Sequence, residues 1–427
     1  CATLGIIADT RHKKAVTETK NIAKINGIAV PAIQPGESYK YLGLHVTSAG
    51  TFAKVEEKLN QQLDNIGEAP LKPQQRVALV SSNVIPAVYH QLTLAKTSVA
   101  ALTSLDGKIR VRLKQWLKLP HTVPDAYFYT HHLDGGLGIR NIRFTVPAIK
   151  CSRILAMQNS KDPLVAYIAS QDILASQVAH WSKPSWIYFK DHRWPMTTPE
   201  LQRSAWHQNL TLTLDGRGLR DAQLVPYVHR WVKDGTSIMS GHRYCAALSL
   251  RIGALPTRER RARGTNLEPY CDHCRPPCWE YLGHIVQGCP RTQAIRNYRH
   301  DLIVSKVSRM LRTQGWQIWL EPRIPYQGTC LIPDLVMSRG DQSVVLDVTI
   351  TTDCPDTPNT AHDGKVSKYA VTEVKDFVQN ITGNRLQLFT ACAINWKGAF
   401  APQSARDLIE LGLSKRCLTL LSCLLYT

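Results

Sequence analysis

Leu331-Ile-Pro-Asp334-Leu-Val-Met337 and Ser343-Val-Val-Leu-Asp347-Val-Thr-Ile350 are two short apolar runs, each carrying one aspartate, separated by the turn Ser338-Arg-Gly-Asp341. Such runs around a glycine turn read as a β-hairpin, which brings Asp334 and Asp347 close together. A carboxylate among Val, Leu and Ile is costly unless it is paired or binds a cation. Two converging carboxylates also repel each other, and a divalent ion such as Mg²⁺ or Mn²⁺ relieves both penalties. Such an ion lowers the pKa of a bound water and stabilises charge developing on a phosphate under attack. Asp334 and Asp347 are therefore the candidate ligands of a catalytic metal.

Working outward, Val366, Tyr369, Ala370, Val374, Phe377, Val378 and Ile381 follow helical spacing and predict one amphipathic helix stopping near Gly383. Lys365 and Lys368 lie three apart on one flank of that helix, at its start. Restriction-type nucleases carry a Pro-Asp followed by an acid-x-Lys, with the lysine two residues beyond the acid on the same strand face. Thr349 occupies that position here, so the expectation is that Lys365 or Lys368 reaches in from the helix instead.

Upstream lies a compact set of metal-ligand residue types, Cys271-x2-Cys274-x9-His284-x4-Cys289. Two residues between thiolates let both sulfurs reach one tetrahedral ion, and a closed Cys3His set reads as structural zinc, with no position left for water or substrate. His273 and Cys278 are spare candidates for the later ligands, and Pro276-Pro277 stiffens the loop. The other cysteines follow no framework pattern, which favours a reducing cytosolic or nuclear compartment over disulfides.

Composition agrees with a polyanionic partner. Lys+Arg number 52 against 33 Asp+Glu, a net charge of +19, and neutralising phosphates releases condensed counterions. The run Thr257-Arg-Glu-Arg-Arg-Ala-Arg263 concentrates that charge, so Arg258, Arg260, Arg261 and Arg263 are expected on phosphate. No secretory signal is visible, and the apolar tail Leu418 to Tyr426 is too short to span a bilayer and reads as a core helix. The opening Cys1-Ala-Thr-Leu-Gly-Ile-Ile reads as a strand entered partway, so a fragment is expected.

Residues 1–46 read as short strands and turns, with Asn26-Gly27 a hairpin signal and Tyr39 to Val46 a strand interrupted by Gly43. The pattern turns helical from Ala53 to about Leu119, with Pro70 and Pro73 marking helix starts. Lys108, Arg110, Arg112, Lys114 and Lys118 line one basic stretch that could follow a phosphate backbone or simply face solvent. Gly135-Gly-Leu-Gly-Ile139 is a turn and not a dinucleotide fingerprint. Trp181, Trp186, Trp194 and Trp206 alternate with Lys183, Lys190, His192 and Arg193, a pattern that suits either base stacking or a packed linker.

In this order the motifs resemble the C-terminal half of the open reading frame of site-specific non-LTR retrotransposons with a restriction-like endonuclease, the R-two type most of all. The resemblance covers the whole chain. It rests on Tyr41-Leu-Gly43, Gly135-Gly-Leu-Gly-Ile139, Arg251-Ile-Gly-Ala-Leu-Pro-Thr-Arg258 and the Cys-Cys-His-Cys set, and then on Arg299-His300-Asp301, Pro333-Asp334-Leu-Val, Asp347-Val-Thr and Lys365-Val-Ser-Lys368-Tyr369. It implies a multidomain α/β (α+β) protein. Residues 1–46 end a reverse transcriptase domain, 47–165 form a helical thumb, and 166–264 a basic linker with nucleic-acid-binding helices. Residues 265–292 form a zinc knuckle, and 293–427 a restriction-like PD-(D/E)xK endonuclease with a mixed sheet flanked by helices.

The implied activity is metal-dependent nicking of target duplex DNA, of the ribosomal type, to prime reverse transcription of the element RNA in the nucleus. By the same resemblance Asp334 and Asp347 hold Mg²⁺ or Mn²⁺, and Lys365 or Lys368 positions the nucleophile or phosphate. Arg299 and His300 support DNA binding or the active-site shell, and Tyr369 contacts nucleic acid, although Asp301 stands where the family has Asn. No Asp-Asp pair occurs in the chain, so polymerase chemistry is expected only of a longer protein. The alternatives are a decayed DNA- or RNA-binding module of such an element and a stand-alone restriction-like nuclease.

Overall fold

The computed structural model describes residues 2–426 apart from 48, 49, 53, 54, 183–185, 190 and 197. It is a mixed helix and sheet protein in two compact units. One comprises Cys1–Leu71, Gln75–Leu113 and Ile139–Ala205; the other comprises Lys72–Gln74, Lys114–Gly138 and Trp206–Thr427. The second unit thus gathers part of the expected thumb and linker around the C-terminal region.

In the first unit, Asn26 (φ 51°) and Gly27 (φ 81°) close a hairpin between Ala23–Ile25 and Ile28–Val30, as their left-handed preference predicts. The Tyr39 to Val46 stretch is not a continuous strand. Leu42 (φ 47°) and Gly43 (φ 82°) reverse it into a hairpin between Tyr39–Tyr41 and Leu44–Thr47, with Leu42 adopting a conformation that its type rarely takes. Pro73 opens a helix, whereas Pro70 stays in the preceding loop. On the basic helix Val99–Trp116, Lys108 and Arg112 pair with Glu56 and Asp64 of Val55–Glu68. Buried Asp106 accepts the first amides of Ile142–Gln158, each at 2.8 Å. Lys183 and Lys190 lie outside the described residues, as do the Trp186 and Trp194 side chains.

The second unit is built on a four-stranded sheet, β1 (Gln317–Leu320), β2 (Leu335–Arg339), β3 (Gln342–Thr351) and β4 (Leu386–Asn395), in that spatial order. The first two pairings are antiparallel, and β3 with β4 is parallel. A parallel pair needs a crossover, supplied by helices α2 (Thr357–Tyr369) and α3 (Thr372–Thr382). Helix α1 (Gln293–Arg312) precedes the sheet, and α4 (Pro402–Glu410) and α5 (Lys415–Leu424) follow it. The tail therefore is the core helix that its apolar run predicts.

Strand alternation sends Leu335, Met337, Val344, Leu346 and Val348 to one face, against Ile303 and Leu311 of α1, Leu408 of α4 and Leu421 of α5. Val336 and Val345 point to the other face, with Tyr369, Val374 and Val378. The single helix predicted up to Gly383 is two helices, broken at Ala370 and Val371. Tyr369 at the end of α2 shares one core layer with Val374 and Val378 of α3, which carries the spacing across the break, and Gly383 (φ 74°) does end the second.

A buried polar hub ties the remaining motifs into this unit. Fully buried Arg251 donates to the Gly135 carbonyl at 3.0 Å, to the Tyr426 hydroxyl at 3.0 Å and to His229 Nδ1 at 2.9 Å. Burial and this guanidinium hold His229 well below its usual pKa, so it stays a neutral acceptor. Trp206 packs on Tyr129, with ring centres 4.8 Å apart, and is a core residue, which excludes it as a stacking platform.

Candidate active site and metal centre

The β2–β3 hairpin sets the carboxylate pair. Leu335 faces Leu346 in the ladder, and the same register carried one residue further places Asp334 across from Asp347. Asp334 Oδ2 accepts the Val348 amide at 2.6 Å and lies 3.4 Å from His300 Nε2 on α1. Asp347 sits on the strand face shared with Val345, so its carboxylate takes a core position and is 2 % exposed. Burial and the nearby Asp334 raise its pKa, while Lys365 and Tyr369 oppose that shift.

Helix α2 brings the cations. Lys365 Nζ lies 2.6 Å from Asp347 Oδ2. The Tyr369 hydroxyl donates to Asp347 Oδ1 at 2.9 Å and lies 3.0 Å from the Ile332 carbonyl. Lys368 Nζ is 3.3 Å from that hydroxyl and stands over the ring. Both lysines lie in the last turns of α2, not at the start of a longer helix as expected. Tyr369, expected on nucleic acid, is buried and serves Asp347 instead. Thr349 follows Asp347 by two on the same strand face, half-buried.

The sequence-predicted neighbours divide. His300 joins the carboxylates, and Asp334 holds its pKa up to about 9. Arg299 turns the other way, donating to the Val286 carbonyl and to Gln287 Oε1, each at 2.9 Å. Gln287 in turn donates to the Thr351 carbonyl at 2.5 Å, at the end of β3. Arg299 and Gln287 thus hook the cysteine-rich module onto the sheet. Gln287 gave no sequence signal, because a lone polar residue has no period.

In that module one ligand atom each from Cys271, Cys274, His284 and Cys289 lies within 4.8 Å of the others, and all four residues are buried. A two-strand turn, in which the Cys271 amide donates to the Cys278 carbonyl at 2.8 Å, presents the first pair. The short helix Leu282–Gln287 presents His284, and the chain leaving it brings back Cys289. Three thiols and an imidazole at this spacing suit a tetrahedral zinc ion. Burial and neighbouring thiols push the Cys274 thiol up to about 12; a divalent cation among them reverses that preference by facing each thiolate with positive charge. Of the spare candidates, exposed His273 bonds Arg291 at 2.9 Å and stands apart, while Cys278 Sγ lies 3.5 Å from His284 Nδ1.

Three of the four arginines expected on phosphate are engaged internally. Arg260 meets Asp215 at 2.8 Å, and Arg263 meets Asp215 at 2.9 Å and Glu259 at 2.8 Å. Arg258 pairs with Asp272 and Glu280. Arg261 alone of the four is exposed with no side-chain partner among the described residues. Also among the described residues, no helix is long and apolar enough to cross a membrane.

Paired carboxylates on a mixed sheet, a lysine-bearing helix above them and a Cys3His cluster beside them define a basic α/β protein with two candidate metal centres. No family model matches the chain. It is 30% identical over 417 residues to a retrovirus-related Pol polyprotein from type-1 retrotransposable element R2 of Popillia japonica, covering 97% of this chain and 84% of that protein. It is 29% identical over 418 residues to the Pol polyprotein from type-2 retrotransposable element R2DM of Drosophila melanogaster, and 30% identical over 419 residues to that of R2 of Nasonia vitripennis. Each match covers 97% of this chain but only 38% and 39% of those two relatives. The chain belongs to the Pol polyproteins of R2 retrotransposable elements.

Proposed function

We propose that the second unit is a divalent-metal-dependent endonuclease of the restriction-like type, which nicks target duplex DNA in the nucleus. The observation that carries this is Lys365 Nζ at 2.6 Å from buried Asp347, with Asp334 across the hairpin. Burial and the neighbouring Asp334 make ionised Asp347 costly, and the two carboxylates form a donor set that a hard divalent cation satisfies, so Asp334 and Asp347 would hold Mg²⁺ or Mn²⁺. When bound, that ion supplies a water of lowered pKa and polarises the phosphate.

The chain's own groups do the rest. Tyr369 fixes one oxygen of Asp347 and so orients the other. Lys365 offers a fixed positive charge to phosphate oxygens as negative charge accumulates on them. Lys368 lies one turn further along, within reach of the flanking backbone. Breaking the P–O3′ bond leaves a 3′ hydroxyl and a 5′ phosphate, and that hydroxyl is the primer end a reverse transcriptase needs. Ribosomal DNA as target, the element RNA as template and the polymerase step belong to the same proposal, for a protein longer than this chain. The zinc knuckle and Arg261 would add nucleic-acid contacts.

The test is nicking of a ribosomal DNA duplex by the chain with Mg²⁺ or Mn²⁺, beside Asp334→Ala and Asp347→Ala. Loss of nicking in both variants with duplex affinity retained is expected. Equal cleavage by wild type and variants would sink the catalytic assignment, and binding without cleavage by the wild type would favour a decayed binding module.

A further inference from the structure

Helix α2 carries Lys365, Lys368 and Tyr369 over the carboxylates, yet it lacks an apolar stripe. Its buried residues are Pro358, His362 and Tyr369. Of these only Tyr369 joins an apolar core cluster among the described residues, so polar contacts help to set the position of this 13-residue helix. Tyr369 anchors its end to Asp347 and Ile332. The other anchor is His362, one turn before Lys365. Its Nε2 is sealed from solvent, faces Asp407 Oδ2 of α4 at 3.5 Å and has no hydrogen-bond partner among the described residues. Asp407 is itself fixed, accepting from Thr390 on β4 at 2.5 Å and from Gln403 at 2.5 Å. Among the described residues the only other charged group paired with His362 is Asp363, 3.1 Å from Nδ1 and exposed.

We propose that His362 is a positioning residue for the nuclease: its contact with Asp407 docks α2 on the β4–α4 layer and thereby sets where Lys365 meets Asp347. The inference rests on the nuclease reading for its effect on rate and on geometry alone for its effect on Lys365. The two partners shift in the directions of an ion pair, His362 upward through Asp407, and Asp407 downward through His362, Thr390 and Gln403 against the opposing effect of burial. A buried charge pair has a defined geometry, and without Asp407 the sealed His362 Nε2 would face no carboxylate.

The experiment uses the full chain and two readouts. The first is acylation of Lys365 by a succinimidyl acetate, followed by peptide mass spectrometry against the exposed Lys58. Wild type should protect Lys365, and His362→Leu should raise its labelling several-fold, with His362→Gln between them. The second is single-turnover nicking of a supercoiled plasmid carrying ribosomal DNA. His362→Leu should slow it about 10- to 100-fold, the scale of a small misplacement of a reacting group. In a Lys365→Met background the same change should matter less than about twofold, because the two residues act as one unit. Unchanged Lys365 labelling in folded His362→Leu, or rate losses that simply multiply, overturns the proposal. If His362→Leu does not fold, Asp407→Asn is read in the same way. Should wild type fail to nick while His362→Leu still unmasks Lys365, the nuclease reading fails and the positioning role stands.

Discussion

The His300–Asp334 contact makes the stability of the second unit depend on pH in a definite direction. His300 Nε2 lies 3.4 Å from Asp334 Oδ2 and 3.2 Å from the Val348 carbonyl. The carboxylate contact outweighs the opposing effect of burial and raises the histidine from 6.5 to about 9. At 1.36 kcal/mol per pKa unit the rise corresponds to on the order of 3 kcal/mol. The side chain is 32% exposed, so screening brings the usable figure down to about 1–2 kcal/mol. Because the folded pKa is the higher one, this stabilisation is fully present below about 6.5 and is lost as pH rises through about 9.

For a unit of roughly 250 residues, each kcal/mol moves the melting temperature by about 2–4 °C. The assay is thermal melting of wild type and His300→Gln at pH 6 and pH 10, in zinc-replete, magnesium-free buffer. Common titrations of lysine and cysteine cancel in the comparison. Wild type should lose about 3–6 °C more than the variant over that range. Melting curves that shift in parallel would refute the reasoning. Millimolar Mg²⁺ should shrink the difference, since a cation on Asp334 competes for the carboxylate that holds His300 charged.

Four further outcomes follow from the site. Cys271→Ser with Cys274→Ser should reduce zinc from about one ion per chain to none, read by plasma mass spectrometry, and expose the cysteine-rich module to protease. Arg261→Ala should weaken duplex binding and lower the slope of log affinity against log salt by about 1, without changing the melting temperature. Arg260→Ala, which leaves buried Asp215 with Arg263 as its remaining arginine partner, should instead destabilise by about 1–3 kcal/mol in urea titration. Tyr369→Phe removes the hydroxyl from Asp347 and Ile332; a cost of about 1–3 kcal/mol with duplex affinity unchanged is expected, and lost affinity would restore Tyr369 to the DNA-contacting role.

What the sequence discloses is whatever has a local period or spacing. Alternation around Gly340 reveals the hairpin that aligns Asp334 with Asp347, and the thiol spacing reveals Cys271 and Cys274, because both arrangements span a few residues. Pairings across long separations leave no such mark. Asp215 lies 45 residues before Arg260, and nothing around either one announces the other, so a run of arginines read as a phosphate surface also carries ion pairs, of which that of Arg260 is buried. The same blindness covers Arg251, Gly135 and Tyr426, which meet in one hub, and the break at Ala370, hidden because both helices share a core face. Thr349 is the case where sequence and structure together say more than either. A lysine at that position would be held by strand register, which is rigid wherever both sheet faces are buried. A lysine on α2 depends instead on how the helix docks, and a helix with one buried proline, one histidine and one tyrosine docks in part through polar groups. On the proposed nuclease reading, carrying the charge on the helix would shift the burden of precision from the backbone ladder to His362 and Tyr369, neither of which a motif centred on aspartate and lysine would single out.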